Sequence, residues 1–280
     1  MRIFILALDG LEYTLVEKWQ LEHLQQADYG VYPTIKSQKY KQAYTPKMWS
    51  TIITGKTLEQ HGVNEWWTYG KLDKLRNVLP LGEKGKYMLM KLLGFLGVKP
   101  RLKVVDCPTM FDAVKPSVAL DIPGYNERIE PRIKLNDALM KHGLKAYENT
   151  AWKIYAERVN HTFVALTKPW RLFMTYFSIA DTLGHAFISK HINKLKQVYY
   201  KLNFLAWKLK TLTEDGSTLF MILSDHGMKP AADGTGVHTD YGYLSMNMQG
   251  LLPKQGTVWQ ILPTQFYAFI TSLLKVGGKP

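Results

Sequence analysis

The most regular signal in the chain is a series of short apolar runs, each closed by a polar turn. Residues 2–8 are β-branched and apolar and stop at Asp9-Gly10, the pattern of a buried strand that ends in a turn. Residues 172–179 and 217–223 repeat it, closed by Ala180-Asp181 and by Ser224-Asp225-His226-Gly227. Residues 241–247 read as a weaker strand. Between these runs the period changes to that of a helix, over residues 11–26, 187–213 and, at the end, 261–276. Thr45-Pro46 predicts a further helix start, with Thr45 as N-cap and Pro46 as first helical residue. Trp49, Ile52 and Ile53 then share a face, and Gly55 ends the run. Apolar strands alternating with helices predict an α/β fold, a mostly parallel central sheet with helices on both faces.

Residues 65–168 break the rhythm. They are rich in Lys, Trp and Tyr and carry prolines at 80, 100, 108, 116, 123 and 131. Residues 133–142 and 150–167 look helical, and 117–122 look like a strand. The expectation is one catalytic domain over residues 1–280, with 65–168 holding a small inserted cap or substrate lobe. The 117–122 strand belongs either to that lobe or to the main sheet. No internal repeat is visible.

Composition narrows the function classes. Of 280 residues 46% are hydrophobic, enough for a packed core. The formal net charge of +13 attracts anions: a phosphorylated metabolite, nucleic acid or an acidic membrane surface. The lysines are scattered, which equally fits solvated helix faces. A single cysteine, Cys107, excludes a disulfide framework and a thiolate metal site. The apolar run near the amino terminus is too short for a signal peptide, so a cytoplasmic location is expected. No apolar stretch is long enough for a transmembrane helix. Residues 87–98 (YMLMKLLGFLGV) are the most lipid-like and read first as a packing helix, with an interfacial membrane helix as the alternative.

The candidate chemistry lies at the strand ends. Asp9, Asp181 and Asp225 each follow an apolar run, and ligands of open α/β sheets bind at the carboxyl ends of strands. Carboxylates gathered there repel one another unless cations compensate them. His185 follows Asp181 by four residues, His226 is adjacent to Asp225, and His238 closes the loop Gly234-Thr-Gly-Val-His238. Mixed carboxylate and imidazole donors suit Zn²⁺ or Mn²⁺, and six such residues divide naturally between two divalent ions.

These pieces together resemble the alkaline phosphatase superfamily and, within it, the type I phosphodiesterase/nucleotide pyrophosphatase family. They come in the family's order: Leu8-Asp9-Gly10, Thr45-Pro46 to Thr54-Gly55 and His61-Gly62, Asp181-x-x-Gly184-His185, Ser224-Asp225-His226-Gly227-Met228, and Gly236-Val-His238 with Gly242. The resemblance implies one ion held by Asp9, Asp225 and His226 with Thr45, and another held by Asp181, His185 and His238. It implies that Thr45 is the nucleophile and forms a phosphothreonine intermediate. It further implies a phosphate-ester substrate, such as a nucleotide, cleaved at a phosphodiester or pyrophosphate bond.

The pattern also departs from the family. Many members have Thr-Phe-Pro-Asn-His where this chain has Thr45-Pro-Lys-Met-Trp49. Trp66 stands where an asparagine contacts the phosphoryl group, and Asn64, two residues earlier, is the candidate to replace it. Trp66, Trp67 and Tyr69 are candidates to stack on a substrate ring, with lobe packing as the alternative. His61, His23, His142, His161 and His191 are expected to be structural or surface residues. A sulfatase is disfavoured by the threonine at position 45, and a cofactor-independent phosphoglycerate mutase by the absence of its large insertion. A phosphomonoesterase is the alternative activity, with Lys47 and Lys56 as the extra positive groups. A non-catalytic phosphate-binding protein is the alternative of a different class.

Overall fold

In chain order, the computed structural model begins with β1 (Arg2–Leu8), α1 (Tyr13–Lys18), α2 (Glu22–Gln25), β2 (Asp28–Pro33), α3 (Thr45–Thr54) and α4 (Leu58–His61). Strands β3 (Trp67–Thr68) and β4 (Arg101–Leu102), helix α5 (Met110–Ala113), strand β5 (Ser117–Leu120) and the long α6 (Glu130–Ala165) come next. Then come β6 (Leu172–Phe177), α7 (Ile179–Phe187), α8 (Ile192–Thr213), β7 (Thr218–Leu223), β8 (Met228–Pro230), β9 (Gly236–His238) and β10 (Tyr241–Met246). Strands β11 (Lys254–Gln255) and β12 (Val258–Trp259) and helix α9 (Phe266–Lys275) complete the order. The structure describes residues 1–37, 41–70, 97 and 101–275. The apolar segment 87–98 therefore lies, apart from Gly97, outside the described residues.

Among the described residues eight strands form one sheet in the order β11-β12-β2-β10-β7-β1-β6-β5. Strands β5, β6, β1 and β7 are parallel, as the strand–helix alternation predicts. Beyond β7 the sheet turns mixed, because β10 runs antiparallel to both β7 and β2. The segment 117–122 is settled in favour of the main sheet: β5 pairs in parallel with β6.

Successive side chains of β1 point to opposite faces and seed two cores. Phe4, Leu6 and Leu8 enter the one covered by α7 and α8, while Ile3, Ile5 and Ala7 enter the one covered by α3, α5 and α9. Phe4 is in register with Phe173 of β6 and Phe220 of β7, and its ring stacks on theirs at 4.9 and 5.0 Å. Full burial of one such side chain is worth roughly 1.5–3 kcal/mol. This three-strand aromatic ladder holds β6, β1 and β7 in register, and therefore aligns their carboxyl ends.

Several helices differ from their predicted extents. Residues 11–26 form two short helices instead of one, because Gln20 adopts a left-handed φ of 50° between them. Residues 187–213 divide between the end of α7 and α8, with His191 as the non-helical N-cap of α8. The two helices expected at 133–142 and 150–167 are joined as α6, with a break at Gly143, where φ is 76°. Strands β2, β11 and β12 carry no clear period-two pattern, and the sequence does not predict them. Among the described residues no helix is long and apolar enough to cross a membrane.

Candidate metal centre and nucleophile

The aligned ends of three parallel strands assemble the site. Leu8 is level with Phe177 and Ala7 with Leu223, so the turns after these strands fall at one edge. Asp9 comes directly after β1, Asp181 lies in the first turn of α7, and Asp225 comes two residues after the end of β7. The Asp181 N–H donates to the Asp9 carbonyl at 3.0 Å, tying α7 to the end of β1. Gly10 permits this approach: its φ is +69°, and a Cβ there would lie 2.7 Å from Asp181 Cα.

Helix α3 delivers Thr45 to the same place. The N-cap is Tyr44, not Thr45 as predicted, and Thr45 is the first helical residue, followed by Pro46. Its hydroxyl is therefore not spent on capping. Thr45 Oγ1 lies 3.1 Å from His226 Nε2 and 3.4 Å from Asp9 Oδ1. Gly55 ends the helix in a left-handed C-cap, as expected.

Two overlapping donor groups result, Asp181 with His185 and His238, and Asp9 with Asp181 and His226. Within each the ligand atoms lie within 4.8 Å of one another. Asp181 Oδ1 is shared, at 3.2 Å from His185 Nε2, 3.3 Å from His238 Nε2 and 4.0 Å from His226 Nε2. Asp225 Oδ2 lies 3.4 Å from His226 Nε2. All six sequence-predicted ligands and Thr45 thus converge.

The surroundings fit a divalent metal. Each histidine uses Nδ1 on a backbone carbonyl, His185 on Gly236, His226 on Gly227 and His238 on Ala43. That bond fixes the ring and leaves Nε2 facing the carboxylates, the orientation in which imidazole ligates metal. Asp225 is fully buried, yet neither of its carboxylate oxygens has a hydrogen-bond partner. A carboxylate is buried without partners at a large cost unless a cation compensates it.

The charges behave accordingly. Burial, with the neighbouring Asp9 charge, pushes the Asp225 carboxyl well above the ordinary range. Burial works against a charged His226, but Asp225, Asp9 and Asp181 outweigh it and raise the imidazole to about 10. For His185 burial is likewise outweighed, by Asp181 and the Gly236 carbonyl, and the value rises to about 9.

Sequence reasoning missed the supports behind the candidate ligands. The Tyr176 hydroxyl donates to Asp9 Oδ2. Arg158 Nη1 donates to the Tyr176 carbonyl at 3.1 Å, and buried Glu127 lies between Arg158 and Arg132. Tyr176 sits on the apolar β6, and nothing local distinguishes it from a core residue.

The remaining candidates take varied places. Asn64 is exposed, and its Oδ1 accepts from Lys103 Nζ at 3.0 Å. Trp66 meets the Tyr44 ring edge-on and carries the Arg132 guanidinium over its face. Trp67 pairs with Leu102 in the β3–β4 ribbon, and Tyr69 is half-buried. Trp66 thus packs against Tyr44 and Arg132. Lys47 is buried and directs Nζ to the Lys36 carbonyl at 3.0 Å. His61 is a structural residue: Nδ1 accepts from the Val63 N–H and Nε2 meets Thr51 Oγ1. His142, His161 and His191 are exposed and His23 is half-buried.

No curated protein matches the chain by sequence. Among solved structures, human ectonucleotide pyrophosphatase/phosphodiesterase 5 is 12% identical, with a TM-score of 0.44 and coverage of 83% of this chain. Its murine counterpart is 13% identical, with a TM-score of 0.41 and the same coverage of this chain. The chain spans 59% and 58% of those two structures. A mutant of TAB5 alkaline phosphatase with magnesium bound in its M3 site is 10% identical, with a TM-score of 0.50. That match covers 98% of this chain and 97% of the other, a likeness of fold. The family model for type I phosphodiesterase/nucleotide pyrophosphatase matches residues 3–271. By that match over nearly its whole length, the chain belongs to the type I phosphodiesterase/nucleotide pyrophosphatase family.

Proposed function

We propose that this protein is a metal-dependent hydrolase of phosphodiester or pyrophosphate bonds, with Thr45 as nucleophile. The observation that carries the reading is the Thr45 hydroxyl itself. It starts a helix without capping it and lies against Asp9 and His226 instead. Asp9, Asp225, His226 and Thr45 would hold one divalent ion, and Asp181, His185 and His238 a second, with zinc or manganese suited to the donors. When bound, such ions lower the pKa of a coordinated hydroxyl and offset phosphoryl charge.

The chain's own groups do the rest. Thr45 Oγ bonds to phosphorus as the bond from phosphorus to the leaving oxygen breaks. The hydroxyl proton goes to solvent, and solvent protonates the leaving group. Water then displaces Thr45 from the phosphothreonine and restores its hydroxyl. The first turn of α3 offers backbone N–H groups toward the phosphoryl oxygens. The family supports a nucleotide or related phosphate ester as substrate.

A specific observation favours a second reading, the phosphomonoesterase. Arg132 lies over Trp66, and its charge is sustained against burial by Glu127, Tyr176 and Asp9. Its Nη2 pairs with Glu127 at 2.9 Å, but its buried Nε has no hydrogen-bond partner, and that donor suits a further phosphate charge. Lys47 does not supply it, being engaged with Lys36. Purified protein with added Zn²⁺ or Mn²⁺ should hydrolyse bis(p-nitrophenyl) phosphate with a higher kcat/KM than p-nitrophenyl phosphate. The reverse order makes the monoesterase correct, and turnover of neither substrate overturns both readings.

A further inference from the structure

The site described above makes no use of the outer face of α8. Residues 192–213 contain five lysines, at 194, 196, 201, 208 and 210, and no aspartate or glutamate. The inner face is buried, with Leu195, Val198, Tyr199, Leu202, Leu205, Ala206 and Leu209 facing the core. The outer face carries Tyr200, Phe204 and Trp207, which are 48%, 49% and 43% exposed. Their spacing of four and three residues makes one stripe, about 10 Å long at the rise of an α-helix. Leu212, 63% exposed, lies off this stripe, on the side of Lys201. Phe204 and Trp207 touch, with ring centroids 5.3 Å apart.

Helical geometry brackets this stripe with charge. Lys196 and Lys210 fall on one flank, and Lys201 and Lys208 on the other. Lys196 Nζ lies 5.5 Å from the Tyr200 ring and Lys208 Nζ 5.1 Å from the Phe204 ring. Among the described residues three acidic groups lie at the margins, one of them the exposed C-cap Glu214. Glu148 is already paired with Lys194 at 2.7 Å, and Glu22 is paired with His23, beside Trp207. A contiguous exposed aromatic patch on a folded protein marks an interaction surface.

We propose that this face of α8 docks the protein on an anionic phospholipid bilayer. The rings would enter the boundary between headgroups and acyl chains, and the lysines would reach the headgroup phosphates. Charge and shape select this occupant. A second copy would bring two lysine-flanked faces of the same sign together. A nucleobase needs an open ring face, and ammonium groups already lie over Tyr200 and Phe204. The helix is convex and carries no arginine, whereas single-stranded nucleic acid is held in basic grooves. A flat bilayer accepts a convex helix lengthwise, and lysine stems bend outward to keep their charges in the headgroup layer. The net charge of +13 adds long-range attraction to the same surface.

The test is co-sedimentation of the full chain with phosphatidylcholine vesicles and with mixed phosphatidylcholine–phosphatidylserine vesicles. The wild type should pellet with the mixed vesicles only, and less at high salt. Replacing Tyr200, Phe204 and Trp207 together by serine leaves the buried face of α8 intact and should lower binding at least about tenfold. The pair Lys196→Glu and Lys208→Glu keeps every ring and should weaken binding by roughly fivefold or more per lysine. Absence of wild-type binding to the mixed vesicles overturns the proposal. So does undiminished binding by the triple-serine variant. Self-association or oligonucleotide binding that the triple variant abolishes, with vesicles ignored, assigns the face to another partner and overturns it as well.

Discussion

Thr45 Oγ1 lies 3.1 Å from His226 Nε2, although 181 residues separate the two in the chain. A capping hydroxyl would point back at its own helix; this one points across to the loop after β7. Thr45→Ala should therefore leave thermal stability nearly unchanged while lowering phosphodiester hydrolysis at least about a thousandfold. Thr45→Ser keeps the hydroxyl and should retain measurable turnover. Steady-state kinetics with matched melting curves test this, and an active alanine variant would remove Thr45 from the nucleophile role.

Tyr176 acts through Asp9. Its hydroxyl donates to Asp9 Oδ2, which orients the other carboxylate oxygen toward Thr45 and His226. Tyr176→Phe should weaken metal binding by about 10- to 100-fold, the usual effect of losing such a support. Calorimetric titration with Zn²⁺ measures it. An unchanged affinity would leave the tyrosine as packing alone.

Asp225 should show opposite effects on stability and on metal binding. Its carboxyl is raised in the fold by burial and by Asp9, whereas an unfolded chain ionises it near about pH 4. Its contribution to metal-free stability is therefore complete below that pH and is lost as pH rises above it. Asp225→Asn removes the penalty. At neutral pH the metal-stripped variant should melt above the metal-stripped wild type, yet gain little on adding Zn²⁺. Scanning calorimetry with and without chelator checks both signs; a variant that melts lower without metal contradicts the electrostatic account.

His61 predicts an acid-side loss. Burial, with nearby Lys47, holds its imidazole down at about 4. The unfolded chain takes up that proton near about pH 6.5, so stability is full above this value and declines as pH falls toward the folded value. The shift corresponds to about 3 kcal/mol at most. His61→Asn keeps an acceptor for the Val63 N–H and should flatten the decline. Melting temperatures of both proteins across that pH range decide the matter, and parallel curves would assign the acid sensitivity to other groups.

The features legible in the sequence are those that neighbouring residues decide. The apolar run before Asp9 and those before Asp181 and Asp225 specify strands through a period that a few residues suffice to show. Parallel strands with helical returns bring their ends to one edge, so the convergence of six candidate ligands was legible without coordinates. Gly55 was recognisable as a helix end for the same local reason. Strands β2, β11 and β12 were not, because pairing with β10 and with each other holds them, and pairing leaves no signature in a short sequence.

Tertiary structure decided what depends on distant partners. Whether residues 117–122 joined the main sheet rested on β6, which begins only at Leu172. Tyr176 reads as one more aromatic in an apolar run until Asp9 is placed beside it from 167 residues away. Thr45-Pro46 was ambiguous for the same reason: a local window sees only a helix start, and both a cap and a nucleophile satisfy it. The sequence by itself determined which residues end the strands. The fold decided that Tyr44 takes the cap and that the Thr45 hydroxyl faces His226, because only long-range packing sets where a helix end lies against the sheet.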